Sequence, residues 1–153
     1  MPDIAAATYS CSVARTVEVV GERWTMLILR EAFLGVRRFD AIQRDLGIAR
    51  NILSDRLGKL VDHGILERRR YQERPERFEY RLTDRGRDLY PIVVTLMRWG
   101  DEHLAPGGDA PVHLVHERCG QRTHPSLVCD VCGEPVTARD VRPEAGPGLA
   151  GVA

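Results

Sequence analysis

The sequence predicts a mainly helical α+β chain with one β-hairpin, followed by a small β module held together by cysteine and histidine. Three observations carry that prediction. Two short amphipathic helices are separated by a glycine-containing turn, and the apolar period then falls to two on either side of a proline. The last third repeats one short phrase, as His116-x-x-Cys119-Gly120 and as Cys129-x-x-Cys132-Gly133.

The first elements are read from "VARTVEVVGERWTMLILREAFLG". Val13, Val17 and Val20 recur at helical spacing, as do Trp24, Leu27 and Ile28, followed by Phe33 and Leu34. Gly21 interrupts the pattern, so the spacing predicts one helix to about Val20 and a second from about Trp24 to Leu34, ended by Gly35. In "RRFDAIQRDLGIARNILSDRLGKLVDHGIL", Phe39, Ile42 and Leu46 mark a short helix closed by Gly47. Ile52, Leu53, Leu57, Leu60 and Val61 mark the next, closed by Gly64. Two such helices joined by a turn of this kind make a helix-turn-helix pattern.

After Gly64 the period changes. Ile65, Leu66 and Tyr71 precede Arg74-Pro75-Glu76, and Phe78, Tyr80 and Leu82 follow it, which is a hairpin signature. A hairpin directly behind a helix-turn-helix is a wing. Thr83 is placed as an N-cap, with Asp84 in the first turn of a helix through "DRGRDLYPIVVTLMRWGDEHL". Its stripe of Leu89, Ile92, Val93, Leu96, Met97, Trp99 and Leu104 is broader than a solitary surface helix needs. Pro91 predicts a kink or a restart, because its ring clashes with the carbonyl four residues back. The expected layout is a first domain over 1–104, a linker "APGGDAP" over 105–111, a β module over 112–141 with strand-like "VHLVHE" and "VTARDV", and a disordered Gly/Pro/Ala-rich tail over 142–153.

Bulk properties narrow the function. No apolar run approaches the ~18 residues of a membrane span, and "MPDIAAATYSCS" lacks the basic flank and apolar core of a signal peptide. The expectation is a cytoplasmic protein without membrane partners, whose reduced cysteines are ligands or sensors rather than disulfide staples. Twenty-two basic residues balance twenty-two acidic ones, which argues against a general nucleic-acid coat protein. The balance is local, however: residues 36–87 carry fourteen Lys or Arg against nine Asp or Glu. A basic middle between acidic flanks indicates one polyanion-binding face.

That face falls on the second helix of the pair. A DNA-reading helix packs one side on the core and carries hydrogen-bonding side chains into the major groove on the other. Opposite the Ile52, Leu53, Leu57 and Leu60 stripe lie Arg50, Asn51, Ser54, Asp55, Arg56 and Lys59, beginning near Ala49. Arg contacts guanine in bidentate fashion and Asn contacts adenine, whereas Ser and Lys suit phosphate. Asp55 fits as an orienter of Arg56 or Arg50, or as an acceptor for a cytosine amine. Arg38 and Arg44 on the preceding helix join the candidate set, and Arg74 and Arg77 flank the wing's proline turn, placed for backbone or minor groove. The competing reading is a merely solvated helix face. Against it, basic excess, two-helix turn and hairpin occur consecutively.

Residues 11–100 also resemble the HxlR-type winged-helix transcriptional regulators of bacteria, relatives of the MarR group. The motifs that carry the resemblance are Gly21-x-x-Trp24, "LSDRLGKL", "RPERFEYRLT" and "LYPIVVTLMRW". The resemblance implies a homodimer built from the first and last helices of the 1–104 domain. It further implies a repressor or activator at a palindromic operator with half-sites ~10 base pairs apart; a repressor is the expectation. Cys11 falls where such regulators often carry a cysteine, and some sense oxidants through it. A thiol at a helix N-terminus is activated by the helix dipole, while a half-buried structural cysteine fits the position equally; any disulfide would be intersubunit. Trp24, Met97 and Trp99 are candidate lining for an apolar effector site between dimerising helices, or else core.

The cysteine phrases point to zinc. Zn²⁺ takes four tetrahedral N or S ligands, and an x-x spacing on a tight turn lets two side chains converge on it. Glycine directly after the second ligand permits the left-handed backbone such a knuckle needs. The expected ligands are His116, Cys119, Cys129 and Cys132, in a structural zinc-ribbon-like module, with His124 or His113 as alternatives to His116. A metal-free ribbon and a redox dithiol are the competing readings. For the whole chain the alternatives to a DNA-binding regulator are a metal- or thiol-dependent enzyme using these cysteines, and a winged-helix protein-interaction scaffold. No phosphate loop, nucleophile elbow, H-E-x-x-H or paired-carboxylate pattern accompanies the cysteines, so an enzyme is not expected.

Overall fold

The computed structural model describes residues 11–147; the first ten residues of the expected 1–104 domain and the last six of the expected tail lie outside the described residues. The chain groups into two compact units, 11–90 and 91–147. The line between them falls at the start of the last long helix, where the helix capped by Thr83 has ended after one turn and the chain starts afresh at Tyr90-Pro91.

The first unit opens with α1 (Ser12–Val20) and α2 (Arg23–Phe33). Gly21 ends α1 where a Cβ would meet the Val17 carbonyl oxygen at 2.5 Å and its Cγ1 at 2.6 Å, so the break needs glycine. Next come α3 (Phe39–Leu46) and α4 (Arg50–Asp62). They are joined through Gly47, whose φ of 61° is the left-handed conformation that closes helices. After Gly64 the chain enters β1 (Leu66–Gln72) and returns antiparallel as β2 (Arg77–Leu82), running from the Leu66–Leu82 pair to the Gln72–Arg77 pair. The register shifts between Arg70 and Gln72, next to the tip. A short third piece completes the wing: Arg38 bridges Glu79, and the Tyr80 N–H donates to the Arg37 carbonyl at 2.8 Å.

Leu53, Leu57 and Leu60 put one face of α4 into the core, against Ile28 and Leu29 of α2, Ile42 of α3, Ile48, Ile65 and Leu66, all buried. Each such side chain contributes roughly 1.5–3 kcal/mol by leaving water. Buried Glu31 is held by the Arg30 guanidinium, with Nε at 3.0 Å and Nη2 at 2.5 Å. Thr83 fastens the wing's exit: its hydroxyl donates to the Gly64 carbonyl at 2.6 Å and accepts from the Gly86 N–H at 3.0 Å. It thereby caps α5 (Asp84–Arg87), as its position in the sequence predicts. A Cβ on buried Gly86 would overlap the Ile65 carbonyl oxygen, so only glycine lets this turn lie against the strand entry.

Little of the wing is buried. β1 is exposed along almost its whole length after Leu66, and β2 is half-buried at successive positions. The hairpin projects past the core, so both of its faces meet water. Its aromatic rings are covered by arginines instead: Arg68 lies 3.6 Å over Phe78, and Arg38 lies 4.6 Å over Tyr71.

In the second unit, α6 (Tyr90–His103) takes Pro91 in its first turn, where the missing N–H costs no intrahelical bond; the proline restarts the helix rather than kinking it. The expected linker contains a 3₁₀ turn at Pro106–Gly108. Leu114–His116 (β3) and Gln121–Thr123 (β4) pair as a short hairpin, and Val128 bridges Pro135. "VTARDV" forms a turn, not a strand, closed by Asp140 accepting from the Thr137 N–H at 2.8 Å and hydroxyl at 2.6 Å. Among the described residues no side chain from 105 to 147 is buried. No helix of the described residues is long and apolar enough to cross a membrane.

Candidate nucleic-acid interface

The exposed side of α4 carries Arg50, Asn51, Ser54, Asp55, Gly58 and Lys59. It starts at Ala49, an N-cap with no side-chain acceptor, so the first-turn N–H groups stay open to an outside anion. Arg50 is 73% exposed; it stands 3.7 Å from Asp40 and 4.8 Å over the Phe39 ring, both at the start of α3. Asp55 accepts from Lys59 at 3.0 Å and lies 3.5 Å from Arg56, so it orders cations along the helix.

Arg56 departs from the reading that put it on the free face. Its side chain is only 22% exposed and turns back to the junction of α1 and α2, where Nη2 meets the Glu22 carboxylate at 2.5 Å. Its Nε is buried with no partner among the described residues. The helical period explains this: Arg56 lies three residues after Leu53 and four before Leu60, at the edge of the core stripe, whereas Asn51, Asp55 and Lys59 lie across from it.

A cavity of about 370 Å³ brings Arg38 and Arg44 together with Arg37, which the sequence reading did not single out; Glu79 and Asp45 also line it. Arg44 pairs with Asp45 at 3.1 Å. The signal for Arg37 was the run Arg37-Arg38 just before α3, but its use as a wing strand is non-local and leaves no local trace. At the tip, Arg74 and Arg77 are exposed and form no ion pair among the described residues, and the Gln72 amide donates to the Arg74 carbonyl at 3.1 Å. Gly58 was also passed over. Among the described residues a Cβ there would meet nothing within 4 Å, so none of them requires a glycine in the middle of α4.

The remaining candidates are distributed. Cys11 is half-buried, free, and the N-cap residue of α1. Trp24 sits under the Arg23 guanidinium at 4.8 Å, in the first unit. In the second, Met97 is half-buried, while Trp99 is 56% exposed and stacks at 5.0 Å on His103. These three line neither the α3 cavity nor a second one of about 390 Å³ bordered by Arg98, Asp101, Glu102, Asp109, His113 and His124. The cysteine phrases converge as pairs: His116 Nδ1 lies 3.3 Å from Cys119 Sγ, and Cys129 is hydrogen-bonded to Cys132. The backbone N–H groups of Cys132 and Val131, then the Cys132 side chain, hold the Cys129 thiol below its ordinary value. Among the described residues no three His, Cys, Asp or Glu side chains gather as a metal-ligand group.

Comparison with known proteins agrees with this geometry. The family model "HxlR-like helix-turn-helix" matches residues 19–107. The HTH-type transcriptional regulator Rv3095 of Mycobacterium tuberculosis is 56% identical over 138 residues, covering 90% of this chain and 87% of its own. The crystal structure of PA1607, a candidate transcription factor, superposes with a TM-score of 0.80 at 38% identity, covering 93% of this chain and 99% of its own. The redox regulator HypR in its reduced form gives a TM-score of 0.56 at 31% identity over 60% of this chain and 92% of its own. A helix-turn-helix with a wing, an arginine-bearing outward face and this breadth of likeness leave one assignment: the chain belongs to the HxlR family of helix-turn-helix transcriptional regulators.

Proposed function

We propose that the protein is a repressor that binds a palindromic operator as a homodimer, with α4 in the major groove and the wing tip on the DNA backbone. The observation that carries the reading is the outward face of α4, where Arg50, Asn51, Ser54 and Lys59 stand exposed, with Arg74 and Arg77 exposed at the wing tip. Arg50 and Asn51 are the base readers; Ser54, Lys59, Arg38, Arg44, Arg74 and Arg77 hold phosphates. Dimer formation is supported by apolar side chains left in water: Val13 and Val17 on α1, and Ile92, Leu96 and Trp99 on α6, of which Val13 is 71% and Trp99 56% exposed. A second copy of the chain is the occupant that buries them.

The test is a gel shift with the protein's own upstream DNA, combined with sedimentation. A dimer protecting two half-sites about 10 base pairs apart is expected, with affinity falling steeply as salt rises. A monomer, or binding without salt dependence, refutes the reading. Leu96→Glu should give monomers that bind DNA weakly. The likeness to the redox regulator HypR and the place of Cys11 at the start of α1 support thiol control as well. Two Cys11 thiols from two copies would pass two protons and two electrons to hydrogen peroxide, giving an intersubunit disulfide and two waters. If peroxide changes DNA binding equally in Cys11→Ser, that part is wrong.

A further inference from the structure

The second unit holds its own chemistry, outside the DNA-binding reading. Residues 105–147 form two paired strands, a bridge and several hydrogen-bonded turns, yet none of their described side chains is buried. Val131 is 90% exposed, Leu127 59% and Val128 56%. A segment this short with no apolar core lacks the usual source of folding energy, and small domains of that kind are held by disulfides or metal.

The backbone around the cysteine phrases supplies the second observation. In each phrase the glycine after the second ligand is left-handed, with φ of 67° at Gly120 and 76° at Gly133. Each phrase closes with the same bond, from the glycine N–H to the carbonyl of the first ligand: Gly120 to His116 at 2.8 Å and Gly133 to Cys129 at 2.8 Å. Both turns therefore have one geometry, although their sequences share only ligand spacing and glycine. In the first turn the two donors already face each other, His116 Nδ1 lying 3.3 Å from Cys119 Sγ. His116 is the imidazole of its pair, whereas His113 and His124 border the cavity with Arg98 and Asp101.

We propose that His116, Cys119, Cys129 and Cys132 bind one structural zinc ion, which joins two knuckles that the chain alone brings only to the stage of separate pairs. One imidazole and three thiolates are a closed tetrahedral donor set, with no position left for a substrate. Residues 124–126, between the hairpin and the Leu127–Val136 bond that precedes the second knuckle, belong to no ladder, so the pairs can close on the ion without breaking a strand. Metal binding then replaces the missing core as the unit's source of folding free energy.

The full-length protein, purified with zinc present and then dialysed, should retain about one zinc per chain. Exchange for cobalt(II) should give the visible absorption of a tetrahedral ion together with thiolate charge-transfer bands. Cys129→Ser/Cys132→Ser should lose the metal, and His124→Ala should keep it. Should the double variant fold poorly, the wild type still decides: a strong chelator should raise amide exchange in residues 112–141 while leaving α2 and α4 protected. Less than about half an equivalent of zinc, an octahedral cobalt spectrum, or unchanged exchange after chelation overturns the proposal and leaves a metal-free ribbon. Operator binding does not depend on this outcome, so failure here and failure of the regulator reading are distinguishable.

Discussion

Replacing Gly58 with alanine separates what the chain needs from what a duplex needs. The residue lies inside the thirteen-residue α4, and an added Cβ meets nothing within 4 Å. The methyl group costs no contact, and Ala in a helix interior is favoured over Gly by about 1 kcal/mol through the smaller loss of backbone entropy. For a unit the size of 11–90 that raises Tm by about 4–8 °C. Gly58 also lies four residues after Ser54 and seven after Asn51, on the face assigned to the groove. If that face seats closely on DNA, the new methyl overfills the contact at a cost of about 1–3 kcal/mol, a loss of roughly 5- to 150-fold in affinity. Thermal melting and fluorescence anisotropy on one preparation read both effects. A variant that melts higher and binds DNA as tightly as the wild type would refute close seating of α4.

Arg50→Ala should relax base preference at one operator position by about 1–3 kcal/mol, whereas Arg56→Ala should leave preference intact and lower stability by about 1 kcal/mol through the lost Glu22 contact and stem burial; binding to a panel of mutated operators and urea melts distinguish them. Gly86→Ala drives a Cβ into the Ile65 carbonyl and should destabilise the first unit by about 1–3 kcal/mol or more, measured by urea denaturation. Asp140 is held below its ordinary value by the Thr137 hydroxyl and then by the Thr137 N–H. A depressed carboxyl stabilises its turn above its unfolded pKa and loses that contribution as pH falls through the folded value. The Asp140 carboxyl signal in NMR should therefore titrate below that of an unstructured aspartate, and Thr137→Ala should move it back up.

Local information was legible in the sequence and long-range information was not. The glycines at 21, 35, 47 and 64 and the cap at Thr83 announce themselves by residue type, because each answers a backbone or hydrogen-bond demand met within a few positions. The Leu53, Leu57 and Leu60 stripe likewise reports the buried side of α4. Arg56 could not be read this way: on a helical wheel it borders both faces, and only Glu22, thirty-four residues earlier, decides where it turns. The bridge from Arg38 to Glu79 is equally non-local. The wing's hairpin was legible from the alternation on either side of Pro75, whereas the arginines that shelter its rings were not.

The register shift at Arg70 and Gln72 has a mechanical meaning. Below it, the ladder from Leu66 to Arg70 is tied to the body of the protein through Thr83 and the Arg37 carbonyl. Above it, Glu73 to Glu76 turn the chain outside the ladder, and the Arg70 guanidinium, 3.9 Å from Glu73 and 3.5 Å from Glu76, straps the tip to its own stalk. Under the proposed DNA-binding mode this leaves Arg74 and Arg77, exposed and in no ion pair among the described residues, as the tip's charges open to phosphate, while the acidic residues beside them are already engaged.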